Sequence, residues 1–171
     1  QGGKAQETAQ TFGDLKFGVW VALILIYLIL LLVFGSFTWP LLVMSIIPLG
    51  LAGAIYGHYL LHLHLTILSL FGLFGLSGIV INDSIILLNA YKQLAKKMPA
   101  KEALIAAPTS RLRHVLLTSI TTIFGLLPLL FESSVQAQFL IPMACAIIFG
   151  LLATTCLILF TLPAMLSYLV K

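Results

Sequence analysis

One acidic residue, Asp83, lies well inside a long apolar stretch, flanked by Asn82 and Ser84. An ionisable side chain at membrane depth is costly to bury and normally faces a partner or a water-filled cavity. A carboxyl group in that setting can take up and release a proton, and the change of charge would reorganise the helices around it. The alternative is structural, with Asp83 capping or hydrogen-bonding a broken helix near its polar neighbours.

Arg111 and Thr118 are further candidates for polar chemistry within apolar surroundings. Their separation of two helical turns places them on one helix face. The guanidinium of Arg111 could reach inward to a carboxylate or lie at the membrane interface. The hydroxyl of Thr118 could relay hydrogen bonds or bond back to its own helix. Spacing alone leaves these alternatives open.

Three histidines, His58, His62 and His64, lie within one short stretch. Only His58 and His62 would share a helical face, and the stretch lacks cysteine and acidic residues, so we interpret it as an interfacial turn rather than a metal site. The chain also has no Gly-Lys-Ser/Thr nucleotide loop, no Gly-x-Ser-x-Gly elbow and no His-Glu-x-x-His pair. We therefore expect no metal, no cofactor and no enzymatic activity.

The composition indicates which solvent surrounds these residues. Hydrophobic residues make up 61% of the 171 positions and charged residues only 8%, whereas soluble domains carry roughly 25% charged residues. The mean hydropathy is +1.15. So short a chain could not hide all of its apolar residues inside a soluble fold, and lipid must cover much of its surface.

Apolar runs of the length that spans a bilayer, roughly 20 residues, occur five times along the chain. They predict an all-α membrane protein, a bundle of about five transmembrane helices. The predicted helices cover about residues 17–34, 40–60, 65–91, 111–131 and 138–169, with a polar extracytoplasmic lead-in at 1–16 and a basic cytoplasmic loop at 92–110.

Glycines recur on the second and third predicted helices at spacings that create a smooth face. Such faces let the backbones of two membrane helices approach closely. We predict that they mediate helix packing in the bundle. The residues are Gly50, Gly53 and Gly57 on the second helix and Gly72, Gly75 and Gly78 on the third.

The basic residues predict how the helices are oriented. Residues 92–113 hold six of the nine Lys and Arg residues, and such loops remain in the cytoplasm. Alternation then places the lead-in, the histidine turn and Glu132 outside, and the Ser36 turn and the C-terminus inside. The loop either anchors this topology or forms, over 98–110, a short amphipathic helix near anionic head groups.

Four motifs follow one another in an order that is more specific than any one of them. They are Phe-Gly-Ser-Phe-Thr-Trp-Pro at 34–40, Ile-Pro-Leu-Gly-Leu-Ala-Gly at 47–53, Gly-Leu-Phe-Gly-Leu-Ser-Gly-Ile-Val-Ile-Asn-Asp-Ser at 72–84, and Arg-Leu-Arg-His-Val-Leu-Leu-Thr-Ser at 111–119 with Gly-Leu-Leu-Pro at 125–128. On these motifs nearly the whole chain resembles the C-terminal transmembrane half of resistance-nodulation-division transporters, especially the hydrophobe/amphiphile efflux branch.

This resemblance implies a proton-driven exporter of drugs and other amphiphiles in the bacterial inner membrane. Family members have twelve-helix protomers, usually form trimers, and work with a periplasmic adaptor and an outer-membrane channel. By position, Asn82 and Asp83 match the polar pair of the tenth family helix, and Arg111 and Thr118 match residues of the eleventh, which makes these four the expected proton relay. Well-known drug pumps have lysine where this chain has Asn82, so Asp83 is expected to supply a different ionisable partner.

The resemblance also implies that these residues are one part of a transporter. The first half, with its paired aspartates, and the substrate-binding outer domains are not in this sequence, so we expect a fragment or a split subunit that is inactive alone. Two other functions stay open. One is a non-transporting membrane scaffold or assembly module that uses the glycine faces for association, and the other is a family member that exports lipids or metal ions.

Overall fold

The computed structural model describes the backbone of residues 2–169 and the side chains of 10–158 and 164, apart from residue 12. All regular secondary structure in this part of the chain is helical. The elements are α1 (Gly2–Phe34), α2 (Thr38–Met44), α3 (Ile47–Leu60), α4 (Ile67–Leu94), α5 (Ala100–Leu130) and α6 (Val135–Leu169). The predicted cytoplasmic C-terminus, Lys171, lies outside the described residues.

Within the described residues, five segments are helical, long and apolar enough to cross a membrane. They are Gly13–Phe34, Thr38–Leu60, Ile67–Leu94, Ala100–Leu130 and Val135–Ile158. The predicted fold class, an all-α membrane protein with about five transmembrane helices, is confirmed.

The chain divides into two compact units, and the first comprises Gln1–Leu41. Its helix α1 includes residues 2–16, which the sequence analysis treated as a separate polar lead-in. The difference arises because polarity does not prevent helix formation: Lys, Ala, Gln and Glu at positions 4–7 are good helix formers. The helix ends at Gly35, whose φ of +61° suits glycine and whose amide donates to the Leu31 carbonyl at 2.8 Å.

The predicted helix at 40–60 is interrupted between α2 and α3. Pro48 stands in the first turn of α3, and proline has no amide proton and clashes with the carbonyl four residues earlier. The break is bridged by local bonds, with the Ser45 hydroxyl donating to the Leu42 carbonyl at 2.7 Å and the Ile46 amide to the Val43 carbonyl at 3.2 Å.

The predicted basic loop at 92–110 is shorter in the structure. The chain leaves α4 at Leu94 and starts α5 at Ala100, so the helix expected to begin near residue 111 begins eleven residues earlier. The segment continues through Pro108, where hydroxyls of Thr109 and Ser110 donate to the carbonyls of Ile105 and Ala107 at 2.9 and 2.8 Å. Residues 100–110, where a short surface helix was one of the two expectations, form the first part of the membrane helix α5.

The second compact unit, Leu42–Lys171, is organised around α6, which packs against α3, α4 and α5. Glycines make the close approaches possible: a Cβ atom on Gly72 would lie 2.6 Å from the Met143 carbonyl oxygen, and one on Gly53 would lie 2.8 Å from that of Phe149. Cβ atoms on Gly50 and Gly57 would also lie closer than 3.0 Å to side chains of α6. Gly75 has only one distant neighbour, and a Cβ on Gly78 would meet no described atom within 4 Å.

Candidate functional site

Asp83 is buried on α4, with only 2% of its surface exposed. Among the described residues, no hydrogen-bond partner reaches its Oδ1 atom. The adjacent Ser84 does not supply one, because its hydroxyl donates to the Val80 carbonyl at 2.7 Å. An unsatisfied buried polar group costs about 1–3 kcal/mol, and more when it is charged. The carboxyl group is therefore held in an unfavourable setting that its own helix does not relieve.

Asn82 points to a different side of α4 from Asp83 and is exposed. Residues three, four and seven apart share a helix face, and Gly75 and Gly78, which are also exposed, lie on the face of Asn82. The structure therefore does not bring the predicted polar pair together around one point. It places one member in the interior and the other on a face that the rest of the described chain leaves open.

His114 on α5 lies within electrostatic range of Asp83 on α4, and its side chain is exposed. Sequence analysis did not single it out, because it lies among the basic residues expected at the interface. One signal could have found it: Arg111, His114 and Thr118 are spaced by three and four residues, which places them on one face of α5.

Among the described residues, neither Thr118 nor Arg111 donates a hydrogen bond to the Oδ1 atom of Asp83. The Thr118 hydroxyl donates to the His114 carbonyl of its own helix at 3.0 Å. Arg111 is exposed and lines an open pocket with Ala90 and Leu94, near the end of α4. Ala90 lies seven residues beyond Asp83 on α4, so a rise of 1.5 Å per residue places Ala90 about 10 Å from Asp83 along the helix. The pocket that Arg111 lines is therefore displaced from Asp83 towards the end of α4.

His58 is separated from the other two histidines in the structure. It is buried in α3, where Nε2 lies 2.8 Å from the Ser69 hydroxyl on α4 and Nδ1 lies 2.9 Å from the Ala54 carbonyl. His62 and His64 are exposed in the turn that follows. The interpretation as an interfacial turn is therefore wrong for His58, whose imidazole links two helices.

The family of the chain follows from its sequence as a whole. Residues 1–170 match the AcrB/AcrD/AcrF family. The chain belongs to this family. The resemblance to resistance-nodulation-division transporters is thereby confirmed, and together with the five apolar segments it makes the chain a multi-pass membrane protein.

Two relatives illustrate the match. The chain is 29% identical over 172 residues to the swarming motility protein SwrC of Bacillus subtilis (strain 168), covering 99% of this chain and 16% of the relative. It is 30% identical over 163 residues to the multidrug resistance protein MdtC of Proteus mirabilis (strain HI4320), covering 94% and 16%. The chain thus spans about one sixth of the length of the curated relatives that it matches.

Two crystal structures of a heavy metal efflux pump share the fold. One superimposes with a TM-score of 0.87 at 24% identity, over 95% of this chain and 16% of the pump. The other crystal form gives 0.83 at 25% identity, over 97% and 17%. The chain therefore shares its fold with part of that pump.

Proposed function

We propose that the chain forms part of the membrane domain of a proton-driven efflux transporter and that Asp83 is a proton-carrying residue of that transporter. By itself the chain is inactive in transport. Membership of the AcrB/AcrD/AcrF family supports the general function, and the buried carboxyl group supports the coupling to protons.

The observation that carries this proposal is the Oδ1 atom of Asp83, buried without a hydrogen-bond partner among the described residues. A carboxyl group that only capped a broken helix would bond to nearby backbone amides, yet α4 is continuous from Ile67 to Leu94. Protonation removes the charge and with it most of the burial cost. The protonated and ionised forms of Asp83 therefore favour different surroundings, as coupling requires.

The other relay residues act around Asp83 in this proposal. His114 on α5 lies within electrostatic range of Asp83. Thr118 and Arg111 extend the polar face of α5, and Arg111 lies near the last residues of α4. Asn82 lies on the open face of α4, where further polar groups of the assembled transporter complete the path.

The partners in this proposal are the remaining helices and outer domains of the same transporter. The open face of α4 at Gly75, Gly78 and Asn82 is where the second set of helices would pack, because these residues leave room for a close approach. The assembled pump is a homotrimer in the bacterial inner membrane, with a periplasmic adaptor and an outer-membrane channel. The basic segment at 92–110 and the C-terminus face the cytoplasm.

Drugs or other amphiphiles are the proposed cargo. The name of the MdtC relative at 30% identity, a multidrug resistance protein, supports this class. The heavy metal efflux pumps match at 24% and 25% identity, which makes metal ions the second candidate. Transport assays with both cargo classes in one complete transporter decide between them.

The test is an Asp83→Asn substitution in a complete transporter assembled with this chain, produced in bacteria that lack their own drug pumps. We expect drug resistance to fall to the level of cells without the transporter. Ser84→Ala is the matched control, because it alters the next buried residue and removes only a bond to the Val80 carbonyl. Full resistance with Asp83→Asn at normal protein levels would exclude Asp83 as a proton carrier.

A further inference from the structure

An open pocket of about 210 Å³ lies between the end of α4 and the facing part of α5. It is lined by Ala90, Gln93, Leu94, Lys97, Ser110 and Arg111. Two of these side chains are cationic and none is acidic. We propose that this pocket binds the phosphate of an anionic phospholipid head group, a role that does not depend on the proposed transport.

The charges around the pocket favour an anion. The backbone carbonyls at the end of α4 contribute roughly half a negative charge, which Lys97 and Arg111 together exceed. Glu102, the single acid between residues 92 and 113, is exposed on α5 and does not line the pocket. The local field therefore remains positive.

The donors suit a phosphate group in particular. The guanidinium of Arg111 can donate two parallel hydrogen bonds to phosphate oxygens, and Lys97 adds a second charged donor. The side-chain amide of Gln93 is a third donor. Ser110 contributes less, because its hydroxyl donates to the Ala107 carbonyl at 2.8 Å.

The size and position of the pocket indicate a lipid. Its volume of about 210 Å³ is below the range of roughly 300–1,000 Å³ typical of drug-sized ligands, so it suits a head group better than a transported drug. It lies at the end of the membrane-spanning segment Ile67–Leu94. Leu112, the residue that follows Arg111 on α5, is 40% exposed and offers an apolar surface for an acyl chain.

The test compares two adjacent lysines in the 171-residue chain purified in detergent micelles. Lys97 lines the pocket whereas Lys96 does not, and both are exposed, so Lys97→Gln and Lys96→Gln remove the same charge with little effect on folding. Native mass spectrometry measures the apparent affinity for dioleoyl-phosphatidylglycerol, with dioleoyl-phosphatidylcholine as the zwitterionic comparison. Thermal unfolding verifies that both variants fold like the wild type.

We expect Lys97→Gln to weaken phosphatidylglycerol binding about fivefold, the effect of one basic residue near an anionic lipid, and Lys96→Gln to leave it unchanged. Equal weakening by both substitutions would overturn the pocket in favour of a diffuse basic surface. An unchanged affinity for phosphatidylglycerol in Lys97→Gln would also overturn the proposed pocket. Displacement of the lipid by millimolar inorganic phosphate would overturn the assignment to a lipid and indicate a free anion instead.

Discussion

The hydroxyl oxygens of Ser119 on α5 and Thr155 on α6 lie 2.6 Å apart and form a buried hydrogen bond between the two helices. Both residues belong to the second compact unit. In a membrane protein such a bond has few competitors, because lipid offers no donors or acceptors to replace it. The pair therefore helps to fix the register of α5 against α6.

The first prediction concerns this pair. In a double-mutant cycle with Ser119→Ala and Thr155→Val, we expect a coupling energy of about 0.6 kcal/mol, the average for such bonds in membrane proteins. Unfolding of the chain in mixed micelles measures it. Thr154→Val is the control partner, because the Thr154 hydroxyl donates to carbonyls of its own helix, and it should show no coupling to Ser119→Ala. Coupling as large with Thr154 as with Thr155 would contradict the interhelical bond.

The second prediction separates two glycines of α4 that look alike in the sequence. Gly72→Ala would place a Cβ atom 2.6 Å from the Met143 carbonyl oxygen, and overpacking of this kind costs about 1–3 kcal/mol. Gly78→Ala meets no described atom within 4 Å and should leave the stability of the chain unchanged or slightly higher. Thermal unfolding in detergent measures both, and equal losses would show that α4 packs differently.

The third prediction tests the role of His58. His58→Ala removes the imidazole that bonds to Ser69, and loss of a buried polar partner costs about 1–3 kcal/mol. His62→Ala is the control, because that side chain is exposed in the turn and should matter little. Thermal unfolding in detergent, followed by circular dichroism, measures both variants. Equal unfolding temperatures for the two variants would contradict a structural role for His58.

Hydropathy was sufficient to predict the spanning segments. A segment in lipid must satisfy its backbone internally, so a long apolar run is almost always helical. The break before Ile47 and the continuation of α5 through Pro108 were not predicted. Hydroxyl side chains bond to backbone carbonyls near both prolines, from Ser45 in one case and from Thr109 and Ser110 in the other. A hydropathy profile does not record such bonds.

The candidate site was predicted only in part, for a similar reason. The depth of Asp83 in an apolar run is a local property of the sequence, and the structure does bury it. The position of His114 within electrostatic range of Asp83 depends on how α5 is rotated against α4, which a local sequence pattern does not record. Likewise, Gly72 and Gly78 share one repeat in the sequence, but only Gly72 lies against α6.

The central claim is that Asp83 carries protons, and the direct measurement is proton flux in proteoliposomes. A complete transporter assembled with this chain is reconstituted with a pH-sensitive dye inside, and the acidification or alkalinisation that follows addition of substrate is recorded. The account predicts substrate-dependent proton flux for the wild type and for Ser84→Ala, and none for Asp83→Asn. Substrate-dependent flux in Asp83→Asn equal to that of the wild type would contradict it.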